Sequence, residues 1–250
     1  GNNGRYLVEL AHKDGITSDF IYVEQETRSC INILEPNGQS TEFLEPGQPV
    51  LPEEFLAFKA KLVQLTNEAE VVTFNGSVPK GISAENYKEL IEETMAAGVP
   101  CIVDASGALL TSCIDALPTM IKPNTDEIGQ LLGREVTTED QVIEAARELH
   151  KRGIKIVVVS LGAKGALMVS DEGTFKANPP KIEAINPVGA GDTLVGSFAV
   201  ALAQKKPTSE CLTFALSCAT ASCLSAGTGR FDQDVATKIQ KQVTIKKIAE

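Results

Sequence analysis

This sequence predicts an α/β fold: a mostly parallel central sheet flanked by helices on both faces, with a small separate β-sheet beside it. Three observations carry that expectation. From residue 70 onward, short apolar runs alternate with amphipathic stretches, giving three strand-to-helix units in a row. Residues 154–160 read as a strand whose centre, Ile156 to Val159, is continuously apolar, as a parallel strand covered on both faces requires. A break at Pro46-Gly47 and Pro49 separates these units from a segment of β patterning at 20–44.

Taken in order, the chain opens with Gly1-Asn2-Asn3-Gly4 and no initiator Met, and Tyr6, Leu7, Leu10 and Ala11 mark a helix ending before Gly15. Residues 20–23 read as a short strand. Runs 30–34 and 40–44 flank Pro36-Asn37-Gly38, and Asn-Gly between alternating residues predicts a hairpin. Helix 52–67 sets Phe55, Phe58, Leu62 and Leu65 on one face. Then come strand 70–74, helix 84–97 ended by Gly98, strand 101–104, short helix 108–117, strand 119–122 and helix 125–132, stopped by Gly133. Thr138 and Gln141 form a capping box for a helix to 152. Residues 174–185 read as a strand entering a small-residue turn, and Leu194, Phe198 and Leu202 mark the helix beyond it.

Composition narrows the partners. A formal charge of −10 and a pI near 4.9 argue against nucleic acid and anionic membranes, so a phosphorylated ligand needs local N–H groups and a few basic residues. The six cysteines show no Cys-x-x-Cys spacing and mostly lie in apolar stretches, which points to free thiols in a reducing cytoplasm. No signal peptide and no apolar run of about eighteen residues is present.

The most telling segment is Asn186-Pro187-Val188-Gly189-Ala190-Gly191-Asp192. Gly189, Ala190 and Gly191 let backbone N–H groups crowd a helix N-terminus, an anion site. Asp192 brings a negative charge to the same place, which suits a base taking a proton from an attacking hydroxyl better than a phosphate ligand. A Walker loop, a Gly-x-Gly-x-x-Gly fingerprint and a Gly-x-Ser-x-Gly elbow are all absent. Polar residues gather at four other strand ends: Asn75-Gly76-Ser77-Val78-Pro79, Asp104 with Ser106, Lys122-Pro123-Asn124 with Glu127, and Ser160-Leu161-Gly162 with Gly165. In doubly wound sheets, ligands bind at such ends.

These strings, in this order, resemble the ribokinase-like (pfkB) carbohydrate kinases, in particular their hexose-phosphate branch of 1-phosphofructokinases and tagatose-6-phosphate kinases. The resemblance covers essentially the whole chain. It implies an ATP-dependent kinase body of residues 1–19 and 49–250, with a β lid of 20–48. It also implies that roughly sixty family residues, including a sugar-binding strand, precede Gly1. Asp192 would be the catalytic base, and Gly189, Ala190 and Gly191 the anion hole. Lys122 and Asn124 would stand near the ATP phosphates, with Ser160, Gly162 and Gly165 lining the nucleotide site. Glu127 would act on Mg²⁺ through water, Arg28 would reach from the lid to the substrate phosphate, and Ser77 would touch the sugar. Some members hold K⁺ beside the anion hole, at positions matching Asn186, Val188, Ser222, Ser225 and Gly227.

The substrate this implies is a ketohexose monophosphate, either fructose 1-phosphate or tagatose 6-phosphate, with a homodimer formed through the lid. Another sugar or nucleoside kinase of the same superfamily, or a non-catalytic sugar-phosphate binder, are the competing readings. The presence of Asp192 speaks against the binder.

Overall fold

The computed structural model describes residues 1–35 and 40–249. Helix α1 (Asn2–Lys13) leads through an irregular stretch into β1 (Cys30–Leu34) and β2 (Ser40–Leu44), a two-stranded antiparallel sheet. Ile31 pairs with Phe43, and the expected turn at Asn37-Gly38 lies outside the described residues. Ile31, Ile33 and Phe43 are at least 50% exposed, which leaves this small sheet with an open apolar face.

The other elements build the main sheet. They are α2 (Pro52–Thr66), β3 (Val72–Asn75), α3 (Ala84–Ala96), β4 (Cys101–Asp104), α4 (Gly107–Ile114), β5 (Met120–Ile121), α5 (Thr125–Leu132), α6 (Glu139–Lys151) and β6 (Ile156–Ser160). After these come β7 (Ala166–Ser170), β8 (Gly173–Asn178), α7 (Ala190–Ala203), α8 (Thr208–Ser222), α9 (Gln233–Gln240) and β9 (Thr244–Ile248). The strand order is β3-β4-β5-β6-β7-β8-β9. Neighbours from β3 to β6 are parallel, and β6 to β9 continue antiparallel.

Side-chain alternation along the strands divides the core into two layers. Val103, Ile121, Val157 and Val159 face Leu90, Ile91, Leu110, Ile128 and Leu149 on one side. Ile102, Met120, Ile156 and Val158 face Leu194, Phe198, Leu212 and Leu216 on the other. Most of these side chains are fully buried, so helices cover both faces and fix which strand ends converge.

Two expected strands change. Residues 20–23 pair with no strand among the described residues. Their alternation comes from packing, since Ile21 and Val23 line a cavity with Phe55 and Phe58. The strand expected over 174–185 ends at Asn178, because Pro179-Pro180 cannot donate to a ladder. The cysteines are free, and burial pushes the Cys101 and Cys113 thiols up to about 12. No helix among the described residues is long and apolar enough to cross a membrane.

The turn from β6 to β7 separates two uses of glycine. Gly162 has φ +58° with open space where a Cβ would go, whereas Gly165 has φ +93° and its Cβ would lie 2.0 Å from the Ala177 carbonyl oxygen. Gly162→Ala should therefore lose only the left-handed backbone preference, about 1 kcal/mol. Gly165→Ala adds a backbone clash and should lose at least about 3 kcal/mol. Urea unfolding of both variants checks this, and equal losses would contradict it.

Candidate active site

The parallel strands deliver their polar residues to one edge. Asn75 lies opposite Asp104 in the β3–β4 register, the Gly76 N–H donates to the Asp104 carbonyl (2.7 Å), and the Lys122 N–H donates to the Val103 carbonyl (3.2 Å). Asn124 and Ser160 form a parallel bridge, with the Ser160 N–H donating to the Pro123 carbonyl at 3.0 Å. Four strand ends expected to act together are thus joined by backbone pairing.

Helix α7 brings Asp192 to this edge, because its buried face (Leu194, Val195, Phe198) packs on β3 and β4. Its N-cap Gly189 has φ +82°, and a Cβ there would stand 2.7 Å from Thr228 Cγ2. Glycine alone meets both demands. The Ala190 N–H turns back to the Pro187 carbonyl (3.2 Å), whereas the Gly189 and Gly191 N–H groups meet no acceptor among the described residues. Asp192 occupies the first turn and is exposed, so its carboxylate is open to a ligand.

Lys122 is only 7% exposed, and its ammonium lies 3.5 Å from where a Cβ of Gly191 would be. It pairs with Asp104 at 3.1 Å. In the sequence, Asp104 reads as a strand end with no role of its own. Its place beside Lys122 follows from the β4–β5 register, and the only local signal is a carboxylate closing one strand and a lysine closing the next. Burial raises the Asp104 carboxyl above its usual range, Lys122 pulls it back, and the charges of Asp192 and Glu127 raise it further.

Asn124 and Glu127 cap α5 reciprocally. The Asn124 N–H donates to Glu127 Oε2, and the Glu127 N–H donates to Asn124 Oδ1, both at 2.8 Å. One Glu127 oxygen remains outside this box. Among the described residues no three His, Cys, Asp or Glu side chains converge closely enough to hold a metal. The charges of Glu127 and Asp192 both act on Asp104, an acidic surround that would suit a Mg²⁺ ion held mainly through water and ligand oxygens.

Beyond Ser160, Gly162 opens a 3-10 turn over Gly162–Lys164, closed by a Leu161 N–H to Gly165 carbonyl bond (2.8 Å). Beside α7, Asn186 is 8% exposed and ties two turns together. Its Oδ1 accepts from the Val188 N–H (3.0 Å) and its Nδ2 donates to the Ala226 carbonyl (3.1 Å). The Ser225 hydroxyl accepts from the Gly227 N–H (3.2 Å), and the Ser222 hydroxyl donates to the Ala219 carbonyl (2.8 Å).

The small sheet supplies the other end of the site. Arg28 Nη2 donates to Ser77 Oγ at 3.1 Å, and Nη1 donates to the Glu45 carbonyl at 3.4 Å. Arg28 and Ser77 line a cavity of about 220 Å³ together with Thr27, Gly47 and Pro79. Ser77 lies two residues beyond Asn75, so the loop 75–79 links this cavity to the Asp104–Lys122 pair.

The charged form of Asp104 is disfavoured by burial, so its opposition to folding is present at neutral pH and fades as pH falls through the raised native value. Asp104→Asn should then be at least as stable as wild type in urea at pH 7, with the gap closing in acid. A loss above about 3 kcal/mol at pH 7 would show that the attraction to Lys122 outweighs desolvation.

Comparison with known proteins gives this geometry a lineage. The pfkB family carbohydrate kinase model matches residues 1–234. Tagatose-6-phosphate kinase from Staphylococcus epidermidis is 34% identical over 248 residues, spanning 98% of this chain and 80% of that protein. Phosphofructokinase-2 from Escherichia coli, solved in complex with potassium, superposes with a TM-score of 0.90 at 31% identity, over 97% of this chain and 79% of its own. Ribokinase from Arabidopsis thaliana shares the fold, with a TM-score of 0.69 at 24% identity over 87% of this chain and 70% of its own. The chain belongs to the pfkB family of carbohydrate kinases and is an enzyme of that class.

Proposed function

We propose that this kinase transfers the terminal phosphoryl group of ATP to the free primary hydroxyl of a ketohexose monophosphate. Tagatose 6-phosphate or fructose 1-phosphate would each give the 1,6-bisphosphate. The observation that carries this reading is the placement of an exposed Asp192 in the first turn of α7, beside the Lys122 ammonium and two glycine N–H groups that have no acceptor among the described residues.

In this reading the Asp192 carboxylate takes the hydroxyl proton as the sugar oxygen bonds to the terminal phosphorus. The bond from that phosphorus to the bridging oxygen breaks, and ADP leaves. The N–H groups of Gly189 and Gly191, with Ala190 between them, hold the equatorial oxygens at the helix N-terminus. Lys122 and Asn124 face the nucleotide phosphates, while Ser160, Gly162 and Gly165 shape the nucleotide side. Mg²⁺, steered through water by Glu127, would neutralise phosphate charge. K⁺ would lie against the paired turns of Asn186, Val188, Ser222, Ser225 and Gly227. The two turns that Asn186 ties together, through Val188 and the Ala226 carbonyl, support this, and potassium accompanies the related phosphofructokinase-2 structure.

The lid, residues 20–48, completes the substrate end of a body formed by 1–19 and 49–250. Arg28, already hydrogen-bonded to Ser77, offers a guanidinium fork for the substrate's phosphate, and Ser77 offers a hydroxyl for the sugar. The open face of Ile31, Ile33 and Phe43 supports a homodimer through the lid. The relative named for tagatose 6-phosphate favours that sugar over fructose 1-phosphate.

Two variants test these roles. Asp192→Asn should keep nucleotide binding and lower kcat at least ~10²-fold; turnover like wild type would remove the base assignment. Arg28→Ala should weaken phosphosugar use by about 1.5–3 kcal/mol, with ATP affinity nearly unchanged. Equal weakening of both ligands would make Arg28 a structural residue.

A further inference from the structure

Arg28 lies in a stretch, 26–29, that belongs to no helix or ladder, and its side chain is exposed. A long exposed arginine presents its fork to a ligand only if something else fixes its backbone. That support comes from α1. Asn3 Nδ2 donates to the Thr27 carbonyl and to Ser29 Oγ, both at 3.1 Å, and so straddles Arg28. Glu26 anchors the same junction: its carboxylate accepts from the Asn2 N–H (2.9 Å), the Asn3 N–H (2.8 Å) and the Thr27 N–H (3.1 Å). These N–H bonds hold the Glu26 carboxyl below its usual range. The approach is close enough that a Cβ on Gly4 would stand 2.8 Å from Thr27 Oγ1. On the far side, Glu45 Oε2 accepts from the Ser29 N–H at 2.7 Å.

We infer that Asn3 and Glu26 are positioning residues for Arg28, holding residues 27 and 29 so that its guanidinium stays aimed at the Ser77 cavity. This rests on the reading that Arg28 binds the substrate phosphate. Asn3 does not line the cavity, and Glu26, which does, has its carboxylate taken up by the Asn2, Asn3 and Thr27 N–H groups, so the effect of both passes through Arg28. The consequence is specific: losing either support should weaken phosphosugar binding without slowing the chemical step, because α7 and the strand ends are built from other contacts.

The test is a double-mutant cycle in the native protein, with tagatose 6-phosphate and fructose 1-phosphate as probes and the better one as reporter. Asn3→Ala and Glu26→Gln should each raise the phosphosugar KM about fivefold, the scale of one lost hydrogen bond. The kcat, the KM for ATP and the melting temperature should hold. In an Arg28→Ala background, either substitution should add less than about a twofold change. A rise as large in that background as in wild type, or a parallel loss of ATP affinity and melting temperature, would overturn the inference by making the contacts structural. If Arg28→Ala raises KM while both supporting variants leave it unchanged, the positioning role alone fails. If Arg28→Ala itself changes nothing, or neither sugar is turned over, the reading beneath it fails, and the inference with it.

Discussion

Gly189 combines a left-handed backbone with an approach to Thr228 that leaves no room for a Cβ, and the placement of α7 follows from that turn. With any other residue the helix would start elsewhere, and Asp192, the glycine N–H groups and Lys122 would no longer share one edge of the sheet. Asn186 reinforces the constraint by tying the entry to the turn onto the loop after α8. The apolar face of α7 then seats the helix on β3 and β4. A local backbone requirement and a buried interface thus point the same helix end at the same strand ends. That agreement lets a first-turn carboxylate sit in a defined place while remaining exposed.

The site has two ends with different physics. At the α7 end, charge is concentrated and partly desolvated: Asp104 and Lys122 pair, and Asp192 and Glu127 add negative field. A transferring phosphoryl group with its cation fits such a place, because fixed dipoles there need not reorganise. At the lid end the groups are exposed and adjustable, and order comes from hydrogen bonds between α1 and the segment 26–29. The loop 75–79 connects the two, since Gly76 bonds to the Asp104 backbone and Ser77 to Arg28.

Much of this was legible in the sequence where chemistry is local. The Thr138 capping box, the Gly133 stop and the Gly189–Asp192 turn depend on residues within a few positions of one another, and the structure has each element as expected. The expected pairing of 30–34 with 40–44 also holds. What depended on distant partners was read less well. β7 and β9 drew no expectation, because an antiparallel strand beside β6 or β8 is defined by its neighbour and not by its own period. Residues 20–23 alternate like a strand but have no pairing partner among the described residues. In the sequence Asp104 reads only as a polar strand end, since its pairing with Lys122 arises from the β4–β5 register. Asn3 and Glu26 are unremarkable in the sequence; only α1 docking against the lid brings them together.

The central claim is that the two ends act on one substrate, a sugar that already carries a phosphate. Its most direct test is ADP release from Mg²⁺-ATP by the native protein, measured with tagatose 6-phosphate, fructose 1-phosphate, free tagatose and free fructose. Release is expected with at least one phosphosugar and little with either free sugar, because Arg28 would have no phosphate to hold. Release that is equal with free ketohexoses, or absent with both phosphosugars, would contradict it.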